Sequence, residues 1–372
     1  MTQLNNHRHL HIHDSIQNGG PPNEQVASDF ITPTELFFVR NHAPIPQVDP
    51  SAYRLRVHGL VQEAITLSLQ DLHANYSQHT VTATLQCAGN RRKQLAAQRA
   101  VDDGLAWDVE AIATATWGGA RLSDVLRAAG VSSAADAAHV AFLGLDPVQH
   151  TDAHGQTYYE AYGSSIELAK ALAPAGAGDV LLAYKMNGEP LPAAHGGPLR
   201  VVVPGYIGAR SVKWLSEISV QAQPSENYYQ QIAYKLFPPD VREQTVNYDE
   251  GLMLTRYPVN SAIVRPGEGA RLPAGRVLVE GYAMGDGQQP IAWVEVSADD
   301  GQTWQRAEFT HAPQQWAWQL WRSEFTLGPG PHTLVVRARD AAGNTQPEAV
   351  SSVWNFKGYA NNSWHRVQIH IK

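Results

Sequence analysis

Apolar and polar residues alternate with a period of two through most of this 372-residue chain, and long helical periodicity is rare. Residues 80–85, Thr-Val-Thr-Ala-Thr-Leu, are rich in β-branched side chains and predict a strand that breaks at Ala88-Gly89-Asn90 as at a tight turn. Residues 53–59, 139–146 and 180–188 read the same way. The first closes on Gly59, the second ends where Asp146 and Pro147 start a turn, and the third runs into an Asn187-Gly188 hairpin turn. Residues 37–42 predict an apolar strand running into Arg40 and His42, after which Pro44 and Pro46 force extended chain. Three stretches predict helices. Residues 67–72 start a short one capped by Ser68. Residues 118–130 form a second, opened near Ser123, with Leu122, Val125, Leu126 and Ala129 on its apolar face and Gly130 ending it. Residues 162–172 form a third with a serine cap.

From about residue 246 the pattern becomes short strands separated by turns, such as Asp299-Asp300-Gly301 and Ala342-Gly343-Asn344. Alternation with few helix signals predicts an immunoglobulin-like sandwich there. Tryptophans concentrate in this part, as expected of a packed core and an aromatic-rich contact surface. Residues 222–240, with Pro224, Tyr228-Tyr229 and Pro238-Pro239, read as an irregular connector. The expected division is a polar N-terminal arm over 1–28, one domain over 29–245 and a second over 246–372. The arm is read as mobile or wrapped on the surface; its alternating His7, His9, His11 and His13 are read as a solvated tail rather than a metal site, because no carboxylate or cysteine completes a ligand set.

Composition narrows the function. Hydrophobic residues make up 43% and charged residues 17%, a globular profile long enough for two cores. No apolar run approaches the ~20 residues of a membrane span. The N-terminus shows no apolar leader core and no twin arginine, so a cytoplasmic location is expected; a periplasmic one would require a leader outside this sequence. A net charge of −7 argues against nucleic acid as the main partner. An anionic substrate would need a local basic pocket to overcome that field.

Cys87 is the single cysteine. It sits at the mouth of the 80–85 strand, with Arg91 and Arg92 four and five residues later, and nearby positive charge favours a thiolate. Three readings stand: a buried structural cysteine, a nucleophile paired with one of 16 histidines, or one thiolate ligand to a metal that a cofactor already chelates. One protein ligand cannot hold a bare transition metal, so the third reading needs a pterin dithiolene or similar group.

Leu85-Gln86-Cys87-Ala88-Gly89-Asn90-Arg91-Arg92 resembles the molybdenum-ligand motif of the sulfite oxidase family, and further segments resemble that family in the same order, together spanning residues 30 to 372. The resemblance implies a haem-free bacterial or plant-like type. Its fold would be an α+β molybdopterin-binding domain of mixed sheets and short helices, followed by the sandwich, which the family uses for homodimer contact. Residues 38–42, Phe-Val-Arg-Asn-His, resemble the segment lining the pterin. Phe38, Val39, Arg40, Asn41 and His42 would touch the cofactor, and Arg40 would also face the substrate oxyanion. Asp146, in Gly-Leu-Asp, would accept from the pterin edge. His195, Arg200, Ser211, Val212 and Lys213, in His-Gly-Gly-Pro-Leu-Arg and Gly-Ala-Arg-Ser-Val-Lys-Trp, resemble the pterin and phosphate clamp. Tyr234 aligns with the family's active-site tyrosine.

The implied chemistry is molybdenum-dependent oxidation of sulfite to sulfate by oxo transfer, with Mo-molybdopterin as cofactor and Cys87 as the protein's metal ligand. Arg40 and Arg92, assisted by Lys357, would hold the oxyanion. Lys357 departs from the family, which usually has an arginine there; lysine keeps the charge and loses the planar fork. Electrons would pass to an external acceptor such as oxygen or a cytochrome. A chain with one cysteine has no Cys-x-x-Cys-His, so no c-type haem is expected in it. The alternatives are nitrate or S-oxide reduction on the same cofactor, or a non-catalytic scaffold.

Overall fold

The computed structural model describes residues 10–102, 104–131, 137–151 and 155–372; His7 and His9 lie outside them. Among the described residues four sheets do most of the organising. The first places Gln78–Gln86 beside Ile112–Arg121, then Leu181–Met186, which also pairs with Glu189–Pro190 and Arg200–Val202, all antiparallel. The second runs in the order Ile65–Leu67, Leu55–Gly59, Leu215–Gln221, His139–Thr151, Thr157–Glu167, with one parallel pair, Leu55–Gly59 against Leu215–Gln221. The α-helices among the described residues are no longer than seven residues: Leu69–Asn75, Arg92–Gln98, Leu122–Ala128 and Leu168–Leu172. Among the described residues no helix is long and apolar enough to cross a membrane.

Local chemistry explains several of these elements. Ser68 caps its helix in a reciprocal box: its hydroxyl accepts from Asp71 N at 3.1 Å, and the Asp71 carboxylate accepts from Ser68 N at 2.8 Å. Asn187 and Gly188, at φ 52° and 86°, make the hairpin turn between Leu181–Met186 and Glu189–Pro190. Leu122, Val125, Leu126 and Ala129 are buried as their helical spacing predicts, and Gly130 ends the helix at φ 71°.

Four expectations are corrected. The second helix begins only at Leu122, with Arg121 as an N-cap that makes no side-chain cap bond, because Ile112–Arg121 is claimed by the sheet. In that strand Gly119 lies so close to Leu182 that a Cβ would fall 2.0 Å from its carbonyl oxygen. Residues 162–167 are not helical: they pair with His139–Thr151, Ser164 opposite Phe142, and only Leu168–Leu172 is helix, without a serine cap. Cross-strand hydrogen bonds outweigh the local helix preference there. His139–Thr151 also continues past Asp146-Pro147, absorbing the proline in a register shift between Leu143 and Pro147. Residues 37–42 are mostly irregular, with a single bridge from Val39 to Gly19.

Beyond residue 259 the remaining two sheets are Asn260–Arg265, Gly275–Met284, Gln319–Leu327, Glu308–Phe309, and Ala270–Leu272, His365–Ile371, Gly330–Asp340, Ile291–Ser297, Gln305–Arg306. Alternate residues from both, including Val277, Val279, Val294, Leu334, Val336, Val367 and Ile369, share one core.

The Cys87 loop is clamped between these sheets and the first. Tyr257 Oη accepts from Gln86 N at 2.7 Å and donates to Gln86 O. Ala360 N donates to Ala88 O at 2.8 Å. Asn90 Nδ2 donates to Tyr282 Oη at 2.9 Å, and Arg91 Nη1 to Ser261 O at 3.2 Å. Arg91 is fully buried with φ at 63°, a left-handed conformation that costs a non-glycine residue roughly 1–2 kcal/mol. Burial lowers its pKa to about 10, and its carbonyl accepts from Asn361 Nδ2 at 3.0 Å.

The arm is anchored rather than loose over residues 10–20. His11–Ile12 pairs with Gly19–Gly20, and Leu10 packs on Val39 and Ala194. His13 lies edge-on to Trp107 and 3.6 Å from Glu110, whose carboxyl burial pushes up to about 7.

Two outcomes follow from these contacts. Tyr257→Phe strips a hydroxyl from two buried backbone groups and is expected to lower stability by about 1–3 kcal/mol in chemical denaturation; an unchanged midpoint would contradict the clamp. Glu110 binds its proton more tightly folded than unfolded, so the parent chain should lose stability relative to Glu110→Gln as pH rises from about 4.5 to about 7, with no further divergence above. Paired denaturation curves across that range check the sign.

Candidate cofactor and anion site

Cys87 opens onto a cavity. The sheet brings the sulfur there: Gln78–Gln86 ends one residue earlier, Cys87 N donates to Ala111 O at 2.9 Å, and the chain turns at once as Asn90 N donates back to Cys87 O at 3.0 Å. The sulfur is buried and accepts from Gly89 N at 3.4 Å. Phe37, Phe38 and Leu85 supply apolar wall.

The polar wall is strongly cationic. Arg40, Arg200 and Lys213 all line the cavity, against one carboxylate, Asp146. Among the described residues none of the three cations has a carboxylate within salt-bridge distance. Arg200 instead donates to the carbonyls of His195 at 2.8 Å and Ser211 at 2.9 Å, and burial lowers its pKa to about 9. Lys213 Nζ donates to Ala194 O at 3.0 Å and to Asn41 Oδ1. Burial, reinforced by Arg200, drives its pKa well down, with Asp146 opposing. Burial works against the Arg40 charge too, but Tyr234, Cys87, Tyr359 and Tyr229 outweigh it and raise its pKa. Asp146 is pushed up to about 6 by burial, and its Oδ1 has no hydrogen-bond partner among the described residues.

Gly196, at φ 104°, lets the loop cross directly over Lys213 and Arg200; a Cβ there would meet both side chains at 2.9–3.0 Å. His42 Nε2 lies 2.9 Å from Tyr234 Oη and its ring stacks on Tyr162 at 4.6 Å. Tyr234 is itself stacked on Tyr359 at 5.3 Å, and burial raises its pKa well above the ordinary phenol value.

Of the residues singled out from the sequence, Phe38, Arg40, Asn41, His42, Cys87, Asp146, His195, Arg200, Lys213 and Tyr234 all meet in this cavity. Five do not line it. Val39 faces the other way, into a small cluster with Leu10 and Ala194. Ser211 accepts from Val203 N at 3.0 Å through its hydroxyl, and Val212 is core. Arg92 folds beneath Gly89 and Gly104, donates to Gly358 O at 3.2 Å, and lies over the Tyr359 ring at 4.9 Å. Lys357 pairs with Asp102 at 2.9 Å, which raises its pKa against the effect of burial. Neither of the last two cations therefore meets an anion in the cavity as expected: each is drawn to acceptors outside it. Tyr162, Tyr229 and Tyr359 were missed; Tyr228-Tyr229 was seen only as connector.

The donor set fits a phosphorylated pterin that carries a soft metal. One thiol, one buried acceptor for a ring N–H edge, and an excess of buried and half-buried cations suit an anionic partner.

A family model for an oxidoreductase molybdopterin binding domain matches residues 42–229, and one for a Mo-co oxidoreductase dimerisation domain matches residues 252–372. The chain is 44% identical over 361 residues to mitochondrial sulfite oxidase of Homo sapiens, covering 95% of this chain and 64% of that protein. It is 41% identical over 372 residues to sulfite oxidase of Arabidopsis thaliana, covering 95% of this chain and 92% of that one. The solved sulfane dehydrogenase SoxCD of Paracoccus pantotrophus shares its fold, with a TM-score of 0.80 at 24% identity over 96% of this chain and 87% of the other. The chain thus spans just under two thirds of the human relative's length and nearly all of the plant one. A thiol at the end of a strand, ringed by cations and matched over almost the entire chain by these proteins, leads to one conclusion: this chain belongs to the sulfite oxidase family of molybdopterin-binding oxidoreductases.

Proposed function

We propose that this chain binds Mo-molybdopterin and oxidises sulfite to sulfate, consuming one water and releasing two protons and two electrons to an external acceptor. The observation that carries the reading is the lone thiol in a cavity whose cations outnumber its carboxylates. When bound, the molybdenum–pterin group supplies the oxygen transfer and accepts the two electrons. The residues do the rest. Cys87 ligates the metal. Asp146 accepts hydrogen bonds from the pterin edge, and Arg200 and Lys213 balance the phosphate charge. Arg40 draws in the sulfite oxyanion and orients it, and Tyr234 donates a hydrogen bond near the reacting oxygen with His42 holding its hydroxyl. Arg92 braces Tyr359 against Tyr234, so its contribution is to orientation rather than to anion contact.

The two sheets beyond residue 259 support an immunoglobulin-like sandwich reading of residues 246–372, and the dimerisation-domain match supports a homodimer. Residues 29–245 would then be the cofactor-binding domain.

Cys87→Ser is expected to abolish sulfite oxidation while leaving the thermal midpoint near that of the parent, and X-ray absorption should lose one sulfur neighbour of molybdenum. Full activity in that variant would remove the ligand assignment. Arg40→Ala removes a charge-assisted contact of about 1.5–3 kcal/mol, so the KM for sulfite should rise roughly 10- to 100-fold. Steady-state kinetics with unchanged KM would take Arg40 out of substrate binding.

A further inference from the structure

Residues 10–20 carry none of the proposed chemistry and precede the matched cofactor-domain region, which starts at residue 42. They nonetheless reach the cationic wall through a closed set of buried amides. Asn18 and Asn41 are each 1% exposed. Asn18 Nδ2 donates to Asp14 Oδ2 at 2.6 Å and to Asn41 O at 3.1 Å, while Asn18 Oδ1 accepts from Asn41 N. Asp14 is tied to its own turn, its Oδ1 accepting from Ile16 N at 3.1 Å and Asn18 N at 3.0 Å. In return Asn41 Nδ2 donates to Ile16 O at 3.0 Å. That leaves Asn41 Oδ1 pointing at Lys213 Nζ. The Asn41 carbonyl that Asn18 holds also accepts from Arg40 Nη1.

We propose that Asn18 is a positioning residue: by pinning the Asn41 backbone beside the Ile16 carbonyl it orients the Asn41 carboxamide and so fixes the Lys213 ammonium in the cavity wall. The reasoning is directional. A carboxamide can present oxygen or NH2 to a neighbour, and only oxygen is compatible with an ammonium. Ile16 O binds the NH2 end of Asn41, so the oxygen end must face Lys213. The Ile16 carbonyl is in place because the turn between Asp14 and Asn18 is closed by Asp14, and that turn is pinned to Asn41 by the reciprocal Asn18 pair. Asn18 cannot be flipped either, since its oxygen would then face both the Asp14 carboxylate and the Asn41 carbonyl. Without the Asn18 side chain both of its bonds to the Asn41 backbone are lost, the Ile16 carbonyl is held less firmly against the Asn41 NH2, and a half-buried lysine already disfavoured by desolvation is left with a weaker acceptor. Arg40 is affected through the shared carbonyl, but more weakly, because that bond survives on its own.

This rests on the molybdopterin reading, and its test measures retention of the pterin rather than turnover. Purified, loaded chain is diluted, and released pterin is followed as its fluorescent oxidised form. Asn18→Ala should lose pterin roughly 5- to 20-fold faster than the parent. In a Lys213→Met background the same substitution should add about twofold or less, because its route of action is gone. An equal effect in both backgrounds, or none in either, overturns the proposal: a merely structural loss would add in both. The parent chain supplies a second readout that needs no variant. Coupling is reciprocal, so amide exchange over residues 14–19 should slow about fivefold or more on loading with pterin. Identical exchange in the loaded and pterin-free chains would overturn the proposal as well. A parent chain that holds no pterin at all would instead remove the molybdopterin reading, and this proposal with it.

Discussion

The Cys87 loop stands on hydrogen bonds that cross from one half of the chain to the other. Tyr257 serves both backbone groups of Gln86, Ala360 N reaches Ala88 O, Tyr282 accepts from Asn90, and Ser261 O accepts from Arg91. All of these partners but the half-buried Ala360 are buried, and a buried backbone group left unmatched costs more than the bond contributes. The left-handed Arg91 is tolerable only because its guanidinium and its carbonyl are both engaged. The C-terminal sheets therefore do more than offer a contact surface: they hold the sulfur-bearing turn in its shape.

A second constraint is charge. Arg40, Arg200 and Lys213 line the cavity with Asp146, and among the described residues no further carboxylate lines it. Backbone carbonyls satisfy their N–H groups geometrically but carry no net charge, so a cavity of this kind is poised for an anion. The depressed pKa values of Arg200 and Lys213 and the raised one of Asp146 share their largest cause, burial. Arg92 and Lys357 show the contrast. Both are buried cations, yet one found carbonyls and an aromatic face and the other found Asp102, so neither adds to the cavity's excess.

The helix capped by Ser68, the Asn187-Gly188 hairpin and the alternating strands after residue 259 were legible in the sequence because each depends on residues within a few positions of one another. The strand over residues 157–167 was not, because Ser164 and Ser165 suit a helix start as well as a strand, and only pairing with His139–Thr151 separates the two. The reversal at Asp146-Pro147 failed for a similar reason: a register shift let the strand absorb the proline. Ten cavity residues were legible because each sits in a short block of recognisable sequence. Tyr162, Tyr229 and Tyr359 had no such block, and contacts between distant segments bring them to the site.

The sequence by itself determined that one thiol would end a strand at a glycine-containing turn, with cations from three separate segments available to an anion. It also determined that the second half would be strands in alternation. Only the tertiary structure decided which cations face the cavity, because that depends on which acceptors lie nearest each side chain after folding. Among the described residues Arg40, Arg200 and Lys213 met no carboxylate outside it; Arg92 met Gly358 and Tyr359, and Lys357 met Asp102. Gly358 lies 266 positions from Arg92 along the chain, beyond the reach of any local pattern.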